Sequence, residues 1–300
     1  MMNMIQLLND NNVAFITEGH KHCQEGWLQV ECPFCVGNPG YHLGYNIQEN
    51  WWNCWRCGWK SSVQILHTLL GISYFKAREL LRTYGSGHLS QYFNDKKEKN
   101  TPSILEIPGN DLEKKHLDYL KRRKFNPPSI QKEWDIRGTD LVGKYKNRII
   151  APIYHNNKIV SFQGRDITDK SDMKYKACPK EKEIIHHKHT LYDIDKAKEK
   201  RRCVVVEGIT DVWRLGAGAV ATFGIKYTQR QVSLLSELFD IICILFDNER
   251  IAQEQAHKLG NFLITQEIQV FIASWKGMPC NDPGSMDEED AHEFMKKIFA

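Results

Sequence analysis

The string CPFC, then eighteen residues, then CWRC, constrains this chain more than any other feature. Cys32 and Cys35 form one C-x-x-C pair, and Cys54 and Cys57 form the other. Each pair puts two thiolates on one turn, and four thiolates close a tetrahedral shell. The segment is therefore expected to fold as a zinc ribbon around one structural zinc. Four unrelated buried cysteines would not need this paired spacing. The first residues, MMNMIQLLNDNNVAF, lack a basic start followed by an apolar stretch, so they do not read as a secretory signal. Metal is then a better reading than disulfides for the paired cysteines. Cys203 and Cys243 lie in or beside apolar runs and are expected to fill the core.

Between the two pairs the residues alternate. Tyr41, Leu43, Tyr45 and Ile47 would line one face of a strand, with His42, Gly44 and Asn46 on the other. In the next strand Trp51, Asn53 and Trp55 share a face, and Trp52 and Cys54 share the opposite one. Such a ribbon could stack and hydrogen-bond single-stranded bases. The tryptophans could equally pack the ribbon and the helices that follow. Trp52 and Trp59 are read as packing; His42, Asn53 and Trp55 stay open between the two roles. Residues 62–84 read as two short helices broken near Gly71, with Gly85 ending the second, packed on the ribbon.

Three blocks follow from composition. Residues 1–90 hold the paired cysteines and five of the eight tryptophans, and residues 91–103 are a polar, charged linker. Residues 104–300 alternate short apolar runs with helical patterns. At 41% hydrophobic and 11% aromatic, the composition is that of a globular protein, and no run of 18 apolar residues offers a membrane span. The net charge of +4 permits a polyanionic partner without demanding one. From residue 201 onward the pattern is cleanest. CVVV (203–206), AVAT (219–222), IICILF (241–246) and IQVFIA (268–273) are strand candidates separated by helical stretches. This order implies a parallel sheet covered by helices.

A second constellation lies there. Glu207 follows VVV, Asp211 stands four residues on, Asp247 and Glu249 follow IICILF, and Asp282 lies in the loop NDPGS. Glu207 and Asp247 would thus sit at the carboxyl ends of parallel strands, where open α/β sheets place their ligands. Any single one could be a helix cap. Together they would repel one another unless cations neutralised them. Magnesium or manganese suits such a site, and two ions are the usual device for displacement at phosphorus.

These motifs in this order, CPFC…CWRC, VVVEGITD and LFDNER, resemble the DnaG-type primases, particularly the short phage forms. RIIAPIYHNNKIVSFQGRDI (148–167) resembles the family's RNA-polymerase basic motif, and KYKACP (174–179) and HHKHTLY (186–192) resemble its lysine-bearing segments. EGITD, FDNER and NDPGS resemble the acidic motifs of its TOPRIM fold. The resemblance implies a zinc ribbon over residues 1–90, a mixed α+β basic subdomain over 104–200 and a TOPRIM-like parallel α/β subdomain over 201–300.

It also implies roles. Glu207 would be the acidic group nearest the reacting hydroxyl, and Asp211, Asp247, Glu249 and Asp282 would bind metal directly or through water. Arg148, Arg165, Lys174 and Lys188 would hold template phosphates or incoming triphosphates. The activity implied is template-directed synthesis of RNA primers on single-stranded DNA from ribonucleoside triphosphates. A separate replicative helicase is an expected partner, no membrane is involved, and the setting is the cytoplasm of a bacterial or phage-infected cell. The chain departs from the family in carrying Asp247-Asn248-Glu249 where Asp-x-Asp is usual, Gly284 where a second acidic residue is frequent, and cysteine at all four zinc positions. Two rival readings are a TOPRIM metal-dependent nuclease and a non-catalytic zinc-ribbon protein that binds DNA.

Overall fold

The computed structural model describes residues 3–20, 23–36, 40–85, 105–278 and 280–300. The linker expected at 91–103 lies outside the described residues. The chain divides into two compact units. The first takes Met1–Glu98 with Val232–Asp240 and Phe262–Ile268; the second takes Lys99–Gln231, Ile241–Asn261 and Gln269–Ala300.

The first unit opens with helix α1 (Met4–Asp10), capped by the Asn3 side chain accepting from the Gln6 N–H. Five antiparallel strands follow in sequential order: β1 (Phe15–Thr17), β2 (Trp27–Val30), β3 (Leu43–Asn46), β4 (Trp51–Cys54) and β5 (Gly58–Trp59). The alternation read from the sequence holds in this meander. Leu43 and Tyr45 pair with Cys54 and Trp52, and all four are buried. Helices α2 (Ser62–Leu70) and α3 (Tyr74–Gly85) close the inner face. The break between them falls at Gly71, whose φ of 64° is left-handed and ends α2. Met4, Leu7, Leu28, Trp52, Val63, Ile65 and Leu81 form one core.

The second unit joins two sheets. After α4 (Lys114–Arg122) and α5 (Pro127–Trp134), the strands β6 (Arg137–Gly138), β7 (Arg148–His155), β8 (Lys158–Asp166) and β9 (Tyr175–Ala177) form an antiparallel sheet in sequential order. A short helix, α6 (Ile194–Ala197), leads into the second sheet. Along the chain β10 (Arg202–Val206), α7 (Ile209–Leu215), β11 (Ala219–Ala221), α8 (Gln229–Leu238), β12 (Ile241–Ile244), α9 (Arg250–Ile264) and β13 (Gln269–Ile272) alternate, and α10 (Glu288–Phe299) follows; most of α8 and the end of α9 belong to the first unit. The four strands run parallel in the order β11-β10-β12-β13. Cys203 and Cys243 are fully buried in β10 and β12, as core fillers should be. One apolar core, including Ile149, Ala151, Val204, Val206, Trp213, Cys243 and Leu245, spans both sheets.

The strand order fixes the site. From β10 the chain goes to β11 on one side, then returns through α8 to β12 on the other. The connections therefore diverge at the carboxyl ends of β10 and β12, and an open sheet leaves a crevice at such a switch point. Glu207 and Asp247 are carried there.

Candidate active site

Five carboxylates line one cleft of about 410 Å³: Glu207, Asp211, Asp247, Glu249 and Asp282. Glu207 leaves β10 and its Oε1 accepts the backbone N–H of Asp247 at 3.1 Å, tying the two strand ends together. Asp211 sits in the first turn of α7, buried, and its Oδ2 accepts the Gly208 N–H at 2.8 Å. Asp282 caps the turn Pro283–Ser285 and accepts from Ser285 Oγ at 2.7 Å. Asn248 and Asn281, joined side chain to side chain at 2.9 Å, hold the Asp247 and Asp282 loops together.

The electrostatics are those of a site that wants cations. Burial, reinforced by Asp211, Glu207, Asp282 and Glu249, pushes Asp247 up to about 8. Burial likewise raises Asp211 to about 7, although the Gly208 N–H opposes it. Glu207 is raised by burial too. Asp247 Oδ1 is buried without a hydrogen-bond partner among the described residues. Hard divalent cations with oxygen ligands fit such a donor set. The five carboxylates are not drawn into one tight cluster: among the described residues, the groups with ligand atoms within 4.8 Å of one another lie elsewhere. Gly284 stands so close that a Cβ built on it would lie 2.7 Å from Asp211 Oδ1. A larger acidic residue at that position would have to displace Asp211.

The basic residues are placed less uniformly. Lys174 is exposed and lines the cleft. Arg165 is buried with its guanidinium 4.9 Å from the Tyr175 ring, a wall of the cleft, and its Nε donates to Tyr119 Oη at 2.8 Å. Its Nη1 is buried without a hydrogen-bond partner among the described residues. Arg148 is buried and donates to the carbonyls of Gly164 (3.0 Å) and Met173 (2.8 Å) and to Ser171 Oγ (3.1 Å). Lys188 Nζ donates to the carbonyls of Thr222, Phe223 and Lys226, and burial lowers it to about 8. Arg123, Gln163, Tyr175 and Thr210 also line the cleft, and none was a sequence candidate. Arg123, in the run KRRK at the end of α4, donates to the Gly284 carbonyl at 3.3 Å. The run of basic residues was the available signal.

In the first unit the four cysteines meet as their spacing requires. Cys32 Sγ lies 3.7 Å from Cys57 Sγ, Cys35 Sγ lies 3.6 Å from Cys54 Sγ, and all four sulfurs fall within 4.8 Å of one another. Burial raises the Cys32 and Cys57 thiols, whereas at Cys54 the N–H groups of Cys57 and Arg56 outweigh burial and bring the group down to about 7. The set fits tetrahedral zinc. On the outer face Trp27 lies 5.4 Å from Trp51 and 5.5 Å from Trp55. Trp55 is 48% exposed and lies across Gly44, where a Cβ would fall 2.1 Å from its ring. His42 and Asn53 are half-buried on the same ribbon. Trp27 was not a sequence candidate.

Residues 135–198 match the family described as the DNA primase catalytic core, N-terminal domain. A DNA primase of Thermotoga maritima is 24% identical over an alignment covering 89% of this chain and 55% of that protein. The chain is thus similar to DNA primases. A DNA primase of Staphylococcus epidermidis is 28% identical over 49% of this chain and 25% of its own length. The chain thus spans between a quarter and about half of these curated relatives. The fold is that of the Aquifex aeolicus primase zinc-binding and RNA polymerase domains, with a TM-score of 0.54, 17% identity, and coverage of 99% of this chain and 82% of that one. A DnaG catalytic domain bound to single-stranded DNA gives a TM-score of 0.51 at 18% identity, over 62% of this chain and 74% of that one. The fold class expected, a zinc ribbon followed by a mixed α+β part and a parallel α/β part, is the one found. No helix among the described residues is long and apolar enough to cross a membrane.

Proposed function

We propose that this chain is a DNA primase that joins ribonucleoside triphosphates on a single-stranded DNA template and extends them into a short RNA primer. The observation that carries the proposal is the cleft where Glu207, Asp211, Asp247, Glu249 and Asp282 converge beside Arg123 and Lys174 at the switch point of a parallel sheet. Acidic groups to hold divalent ions beside cations for phosphates are what nucleotidyl transfer requires. Magnesium or manganese, when bound, lowers the pKa of the attacking 3′-hydroxyl and neutralises the departing pyrophosphate. Asp211, Asp247, Glu249 and Asp282 hold those ions. Glu207, fixed by the Asp247 N–H, receives the proton of the hydroxyl. Arg123 and Lys174 bind the triphosphate, with Arg165 behind them at the Tyr175 wall. Arg148 and Lys188 act by fixing the carbonyls of the surrounding loops.

Residues 1–90 hold one structural zinc and read template bases on the Trp27, Trp51 and Trp55 face, with Asn53 and His42 at its edge. Residues 104–200 and 201–300 form the basic and TOPRIM parts of the polymerase. A separately supplied replicative helicase is the expected partner, in the cytoplasm of a bacterial or phage-infected cell. The test is incorporation of labelled ribonucleotides on single-stranded DNA by the wild type and by Glu207→Gln and Asp247→Asn. Each variant should lose incorporation while keeping the fold; full activity in either would remove its residue from the site. Metal-dependent loss of labelled DNA without nucleotides would favour the nuclease reading instead.

A further inference from the structure

A second group of ligating side chains lies outside both sites, on the segment EIIHHKH. One carboxylate oxygen of Glu183 and one nitrogen from each of His186 and His187 all lie within 4.8 Å of one another. The Glu183 side chain is only 1% exposed. Its Oε1 is crowded, accepting from Ser161 Oγ at 2.6 Å and from both the N–H (3.1 Å) and Nδ1 (2.7 Å) of His187. Its Oε2 is buried with no hydrogen-bond partner among the described residues. His186 Nε2 stands 3.7 Å from that oxygen, too far to donate. An unpaired buried carboxylate oxygen is costly, and this one faces an imidazole nitrogen across a gap.

The gap is the size of a metal ion. Ligands about 2.0–2.1 Å from a tetrahedral zinc stand roughly 3.3 Å apart. Glu183 Oε2 and His186 Nε2, 3.7 Å apart, stand near that separation, while the 2.7 Å from His187 Nδ1 to the other oxygen, Oε1, is a hydrogen bond that ligation by His187 Nδ1 replaces, its proton moving to Nε2. The His186 and His187 side chains are 30% and 14% exposed, which leaves an entry from solvent and room for water as a further ligand. Binding through His186 Nε2 places the ring proton on Nδ1, so the long 3.2 Å contact from the Lys188 N–H to that atom is given up. We propose that Glu183, His186 and His187 form a second metal site, taking a borderline divalent ion such as zinc.

The site would anchor a wall of the catalytic cleft. Lys188 follows His187 directly and holds the carbonyls of Thr222, Phe223 and Lys226. The His187 ring meets Phe223 edge-on at 5.5 Å, and Phe223 lines the cleft.

The test is metal content of the full chain, loaded separately with zinc and cobalt and freed of loose metal. Wild type should hold about two zinc ions, one on the four cysteines and one on the new site. The cobalt form should show thiolate charge-transfer bands together with weaker ligand-field bands from nitrogen and oxygen ligation. His186→Ala, at a half-exposed position, should drop the content to about one ion, erase the weaker bands and leave the thiolate bands intact. Glu183→Gln should do the same, and His292→Ala, an exposed histidine elsewhere, should change nothing. A single zinc ion in wild type, or two retained in His186→Ala, overturns the proposal. Metal content is read without any primer being made, so the outcome is independent of the catalytic reading.

Discussion

Gly44→Ala isolates the aromatic face of the ribbon. A Cβ at this position would lie 2.1 and 2.4 Å from two atoms of the Trp55 ring and 3.0 Å from Trp27. Ordinary contact begins near 3.4 Å, so the Trp55 ring must retreat by about 1.3 Å. The clash falls on the far end of a side chain that is 48% exposed, and Gly44 itself lies in a regular β pairing opposite Asn53. The ring can move without unfolding the strand, and the melting temperature should hardly change. What is lost is the alignment of Trp55 with Trp27. A base stacked on an aromatic ring contributes about 1–3 kcal/mol, so losing one stack should weaken single-stranded DNA binding roughly 5- to 150-fold. Fluorescence anisotropy of labelled mixed-sequence DNA at fixed salt measures the affinity, and tryptophan emission reports the ring. If emission shifts and the affinity stays at the wild-type value, Trp55 has no part in reading template.

Other predictions concern charge and metal. Asp211 and Asp247 have folded pKa values raised to about 7 and about 8, whereas an unfolded Asp titrates near 3.9. Between those limits the folded state holds more protons, so the metal-free protein should lose stability as pH rises from about 4 to about 8. Asp247→Asn should flatten that slope in thermal melts; an unchanged slope would refute the assignment of strain to this carboxylate. Stripping zinc with a strong chelator, or Cys54→Ser, should unfold the ribbon and shift its tryptophan emission to the red, because the metal holds a core too small to stand alone. Persistence of the native emission would show that the four cysteines are dispensable. Arg148→Met should lower stability by about 1–3 kcal/mol by leaving buried carbonyls without donors, with little change in KM for nucleotides. A large rise in KM at unchanged stability would instead put Arg148 in contact with substrate.

Much of this was legible in local strings. The two C-x-x-C turns specify their own geometry, and the β-branched runs CVVV and IICILF place Glu207 and Asp247 at strand ends with no long-range knowledge. The expected strand at 241–246 is paired only over Ile241–Ile244, because the chain must leave the ladder to bring Asp247 into the crevice. The direction in which a cation points was not legible. Arg148 and Lys188 stand in strings rich in positive charge, yet their donors turn to backbone carbonyls, and only the folded loops reveal those acceptors. Arg123, Gln163 and Tyr175 reach the cleft from α4 and the antiparallel sheet, across separations no motif spans. Gly44 read as a place on the outer face; its need for glycine appears only once Trp55 lies over it.

The central claim is that the acidic cleft polymerises ribonucleotides under the direction of a DNA template. Sequencing the products made on a defined set of single-stranded DNAs tests it most directly. Short RNAs complementary to the templates, starting at a restricted set of sites and absent with Asp247→Asn, are the predicted result. DNA fragments in place of RNA, or no product while template binding remains intact, would contradict it.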